Sequence, residues 1–143
     1  MIALSAARTV VDGVLAHARA ARFPPMTVAV LDAAGQLVAF AREDDSSLLR
    51  ERIARGKARG ALNLGVGSRS LAGKAAAHPA FIGAVTSLAD GELVPVPGGV
   101  LVRDGAGVLL GAIGVSGHHP DADEACALAG AEAAGLVAEP GED

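Results

Sequence analysis

Apolar residues return at helical intervals near the start of the chain. Leu4, Val11, Leu15 and Ala18, with Val10 and Val14 beside them, predict a helix over Ser5 to Arg22. Pro24 and Pro25 end it. The rhythm then changes to short Val-rich runs. Met26 to Leu31 and Gln36 to Arg42 read as strands, and Asp32-Ala33-Ala34-Gly35 as the turn of a β-hairpin. A second helical stretch runs to about Leu64, with Leu49, Ile53 and Ala61 on its apolar side. Ser46 or Ser47 is placed to cap it. Gly56 and Gly60 weaken it by roughly 1 kcal/mol each relative to alanine, which a closely packed neighbouring element would explain. Ser68 to Ala77 reads as a short helix, Pro79 to Val85 as another helical turn, and Ala89 to Gly99 as a Gly/Pro-rich loop.

The last third repeats the strand rhythm. Val100 to Arg103 and Val108 to Ser116 predict a second hairpin around Asp104-Gly105-Ala106-Gly107. A glycine-rich corner with two adjacent histidines follows, then a helix with Pro120 in its first turn, running to about Val137. The tail from Glu139 to Asp143 is expected to fray. The order predicts an α+β fold, an antiparallel sheet of two hairpins with helices packed on it. No linker or repeat divides the chain, so residues 1–143 read as one domain.

Composition narrows the function. Apolar residues make up 51% of the chain, enough for a sizeable core, but there are only three Phe and neither Trp nor Tyr. The core is therefore built from small and aliphatic residues, which suits close packing and a homo-oligomer. A net charge of −4 and the lack of an aromatic platform argue against a nucleic-acid partner. Cys126 is the only cysteine, which excludes an intrachain disulfide and a cysteine zinc site. Arg8, Asp12, His17 and Arg19 break up the first helix, unlike a signal peptide. No run reaches the roughly 18 apolar residues of a membrane span, so no membrane partner is expected. A cytoplasmic location is the expectation.

The candidate chemistry gathers around Gly117-His118-His119-Pro120. An imidazole there suits proton transfer near neutral pH or an axial bond to iron; solvent-exposed imidazoles ahead of a helix are the plain alternative. Adjacent loop histidines are expected to diverge, so one of the two rather than both would hold a metal. Asp121, Asp123 and Glu124 suit the positive end of the last helix, and Asp121 is a candidate to orient an imidazole and take part in catalysis with His118 and His119. The second helix concentrates Arg50, Arg52, Arg55, Lys57 and Arg59, with Arg52, Arg55 and Arg59 on one face. They suit an anionic ligand or a solvated face. Arg42, Lys57, Gly98, Gly99 and Ser116 are the candidate ligand-binding residues. The glycines allow close backbone approach to a ligand or simply reverse the chain. Cys126 reads as a small buried packing residue.

Four segments in this order resemble the GlcG/HbpS family of haem-binding and haem-degrading small domains. They are TVAVLDAAGQLVAFAREDD, IARGKARGAL, PVPGGVLVRDGAGVLLGAIGVSG and DADEACALAG. The resemblance spans about Ser5 to Leu136. It implies an antiparallel sheet flanked by helices with profilin-like layering, a dimer or larger ring, and haem or another tetrapyrrole as ligand for some members. The chain departs from the family pattern at Gly98-Gly99-Val100-Leu101, at His118-His119, and at Glu43-Asp44-Asp45.

Three readings follow. The first is a small-ligand-binding protein holding haem or another planar anion, with His118 or His119 on the iron and second-helix cations near the carboxylates. The second is a cofactor-independent enzyme acting on a small organic acid or biosynthetic intermediate. In it Arg42 and Lys57 bind the anion and His118 or His119 moves a proton. The third is an assembly module without a ligand of its own.

Overall fold

Two hairpins of one kind and a central helix set the architecture of the chain, whose 143 residues are all described by a computed structural model. Helix α1 spans Leu4–Ala20. Strands β1 (Thr27–Asp32) and β2 (Leu37–Arg42) follow, then helices α2 (Arg50–Leu64), α3 (Ser68–Ala77) and α4 (Pro79–Leu88). Strands β3 (Gly99–Arg103) and β4 (Leu109–Ser116), helix α5 (Pro120–Ala133) and a short strand β5 (Val137–Glu139) complete the order. The sheet runs β2-β1-β4-β3-β5, and every neighbouring pair is antiparallel. The fold is α+β, as the strand pairing predicts.

Both hairpin turns use one device. The Asp32 carboxylate accepts the N–H groups of Ala34 and Gln36, and the Asp104 carboxylate those of Ala106 and Val108. Each is an aspartate holding its own turn, with Gly35 and Gly107 supplying the left-handed residue.

Alternation along the strands divides the core in two. Val28, Val30, Val100, Val102, Ile113 and Val115 face α1 and α5. Leu31, Leu101 and Ala112 face Ala58 and Ala61 of α2. Each fully buried valine contributes about 1.5–3 kcal/mol, so the first face carries most of the apolar stabilisation. The second face carries few large side chains because α2 lies directly on the strands. A Cβ at Gly114 would overlap the Ala54 carbonyl, and one at Gly99 the Lys57 carbonyl. Gly56 is explained the same way: Val94 of the 89–98 loop fills the space its Cβ would take.

Several boundaries move. Helix α2 begins at Arg50, without a side-chain cap, because Ser46 is buried and its hydroxyl donates to the Met26 carbonyl. Leu49 and Leu4 are exposed rather than on the apolar stripes. Helix α4 runs on to Leu88. Helix α5 stops at Ala133, where Gly135 turns left-handed and the N–H groups of Gly135 and Leu136 donate back to the carbonyls of Glu132 and Ala131. The chain then adds β5 to the free edge of β3. The tail is docked rather than frayed: Arg69 N–H donates to the Pro140 carbonyl, and Ser70 Oγ accepts the Glu142 N–H at 2.8 Å.

Candidate functional site

The candidate residues converge at one end of the sheet. Thr27 is the register partner of both Arg42 and Ser116, so the three lie abreast across β2, β1 and β4. Val28 and Val115, one step along, point toward α1 and α5. The Arg42–Thr27–Ser116 row therefore faces α2. Arg50, the first residue of α2, donates from Nη1 to Ser116 Oγ at 3.0 Å. Arg42 donates to the Ser46 carbonyl. Neither guanidinium has a carboxylate partner. Thr27 between them is fully buried, and its hydroxyl has no hydrogen-bond partner. An unsatisfied buried hydroxyl costs about 1–3 kcal/mol.

Beneath this row lies a buried ion pair. Lys57 and Asp123 are each 2% exposed, with Nζ 2.8 Å from Oδ2. Lys57 also donates to the Val115 carbonyl at 3.0 Å. The other Asp123 oxygen accepts the His118 main-chain N–H at 2.8 Å. One carboxylate thus ties α2, the end of β4 and the start of α5 to the histidine corner. Burial pushes Lys57 down and Asp123 up from their ordinary values, each opposed by the charge of the other. Gly98, at φ 122°, leaves the space for this pair: a Cβ there would lie 2.8 Å from Lys57 Nζ.

Gly117 crosses tightly over Pro25 and Met26, and the corner that follows carries a row of tilted rings in contact. His118 and His119 lie 4.5 Å apart, centroid to centroid, at 31°. The Phe23 ring lies 5.1 Å from His118, and His17 is 6.1 Å from Phe23. The two histidines run side by side rather than diverging. His118 is half-buried and His119 exposed. Neither imidazole is hydrogen-bonded to the chain.

Several expected contacts are corrected by this geometry. Lys57 cannot meet an anion directly, because its ammonium is buried and already holds Asp123. Gly98 and Gly99 make room for α2 and Lys57 rather than for a ligand. Asp121 is not the acid at the histidine corner. It is 81% exposed and pairs with Arg69, which also grips Glu124 and Asp143. Three carboxylates on one guanidinium push Arg69 well above the usual arginine range. On the arginine face of α2, Arg55 pairs with Glu51 over Phe40 and Arg59 with Glu92, while Arg52 is exposed and makes no ion pair. A cleft of about 340 Å³ opens beside Arg42, walled by Arg19, Pro25, Glu43 and Asp44; neither histidine lines it.

Asp123, Arg50 and Thr27 join the site through contacts that the hydrophobic pattern does not mark. The signal for Asp123 was present, because Lys57 stands on the buried stripe Ala54, Lys57, Ala58, Ala61. A lysine there requires a buried carboxylate.

The same architecture recurs in solved structures. The PduOC:haem complex matches with a TM-score of 0.85 and 21% identity, over 95% of this chain and 96% of that one. Klebsiella pneumoniae protein ORFY matches at 0.84 and 22% identity, over 93% and 90%. HbpS matches at 0.78 and 26% identity, over 92% and 88%. No curated protein matches the sequence significantly. The family model described as haem degrading protein HbpS-like matches residues 2–132, and on that match the chain belongs to the HbpS-like family.

Proposed function

We propose that this chain, acting as one domain over residues 1–143, binds a small planar anionic ligand, haem being the candidate, at the end of the sheet that carries the histidine corner. The observation that carries the reading is the occurrence, at one end of the sheet, of unbonded imidazoles and two arginines that lack acidic partners. The donor set fits a haem group: His118 or His119 for the iron, Arg42 and Arg50 for the carboxylates, and exposed Leu48 and Leu49 as apolar surface. Bound haem would supply redox and ligand-exchange chemistry at its iron. The chain's own part is to hold the corner rigid through Lys57 and Asp123 and to present one imidazole. The family and the haem-bound neighbour support the same reading.

The site is an open surface rather than an enclosed cavity, so a homo-oligomer, a dimer or larger ring, would cover it. Helix α4 offers an apolar face for such assembly, with Phe81 57% and Leu88 83% exposed. No helix is long and apolar enough to cross a membrane.

Titration with haemin tests the reading. A shifted Soret band at micromolar haemin is expected, and His118→Ala or His119→Ala, whichever ring holds the iron, changes its position. An unshifted band throughout would reject haem as the ligand. A second reading is favoured by arginines without acidic partners at the sheet end that carries the half-buried imidazole: acid–base chemistry on a small organic acid, without a cofactor. It requires turnover that falls in His118→Ala or His119→Ala, and unchanged turnover in both would remove it.

A further inference from the structure

Arg42, Arg50 and Lys57 bring three cations to the α2 face of the sheet end, and Asp123 is the only carboxylate that pairs with any of them. Glu43 is taken by Arg19 and by the Met26 N–H. Asp44 makes no ion pair with Arg42 although it shares a cleft with it. Arg50 lies close enough to Lys57 to push its ammonium further toward neutrality. The cluster is thus short of negative charge. Abreast of Arg42, and of the Ser116 that Arg50 holds, stands the one fully buried hydroxyl without a partner, Thr27 Oγ1.

We infer that Arg42, Arg50 and Thr27 form a carboxylate site, in which the two guanidinium groups take the oxygens of one ligand carboxylate and the Thr27 hydroxyl donates to it once the 43–49 loop admits the ligand. Guanidinium and carboxylate match in shape and charge. The ligand also receives the Glu51 and Arg52 N–H groups of the first turn of α2, which no side chain caps. Leu48 and Leu49, 89% and 58% exposed just ahead of α2, suit an acid with an apolar body. The carboxylate belongs either to a propionate of bound haem or to a free organic acid. The inference rests on the reading that this sheet end is the ligand site, but it does not require iron.

The test uses the whole protein and two probes. In the first arm, the melting temperature is measured in sodium succinate and in sodium chloride at equal ionic strength. In the second, haemin and haemin dimethyl ester are titrated. Wild type, Arg50→Gln and Thr27→Val are compared. Thr27→Val melts at or above wild type in chloride, because the buried hydroxyl it removes bonds to nothing in the folded chain. If the source is a free acid, succinate raises the wild-type melting temperature and both variants lose the rise. If the source is a propionate, Arg50→Gln weakens haemin by about tenfold or more and leaves the dimethyl ester unchanged. Succinate equal to chloride, together with haemin binding that neither variant alters, overturns the inference while leaving haem binding in place. A succinate rise lost in the variants, with no haemin binding at all, does the reverse.

Discussion

At the scale of single residues, Lys57 decides most. An ammonium and a carboxylate, each 2% exposed, are held by each other, by the Val115 carbonyl and by the His118 N–H. Removing one partner strands the other charge, so Lys57→Met is expected to cost about 3–5 kcal/mol in denaturant unfolding. Lys57→Met with Asp123→Leu should cost less than the sum of the single changes, since no charge is then left buried. Cys126 is the quieter case. Burial pushes its thiol up to about 11, so it stays a protonated packing residue at neutral pH. A thiol reagent at pH 8 is expected to label it only after unfolding. Its sign in pH dependence is fixed too. Between pH 9 and pH 11 the unfolded thiol ionises while the folded one keeps its proton. The unfolded state then binds fewer protons, and stability falls as pH rises. Wild type should lose about 2–3 kcal/mol relative to Cys126→Ala across that window, measured by chemical unfolding at each pH.

At the scale of elements, glycine positions matter most at the sheet surface. Gly114→Ala drives a methyl into the Ala54 carbonyl. It should destabilise by at least about 2 kcal/mol and loosen the Arg50–Ser116 contact. The hairpins were legible in the sequence because Asp and Gly stand at the positions a two-strand reversal requires. Helix α3 was legible to the residue. Strand β5 was not, because Leu136-Val137-Ala138 continues an Ala-rich helical pattern and only Gly135 marks the break. The docked tail was not legible either, because its partners on α3 lie some seventy residues away in the chain. The same reason hid the site's wiring. Arg50 with Ser116 and Lys57 with Asp123 are each 66 residues apart. Composition marked the basic helix and the acidic helix start, but only the sheet register selects which members meet.

At the scale of the whole molecule, the larger core between the sheet and α1 with α5 holds the fold, and the thinner α2 face carries the polar site. Helix α4 stands apart from both, with only Ile82 buried along its length. If that face is covered by another copy, Phe81→Glu should shift sedimentation velocity toward a smaller species while leaving the circular dichroism of the chain unchanged. A sedimentation profile identical to wild type would place the assembly surface elsewhere. The central claim is that the histidine corner and the Arg42–Thr27–Ser116 row form one ligand site. A crystal structure grown with haemin, with the iron found from its anomalous scattering, tests this most directly. The expected result is an iron peak against the imidazole of His118 or His119, with a propionate toward Arg42 and Arg50. An iron peak at the docked tail, or at any surface away from this end of the sheet, would contradict it.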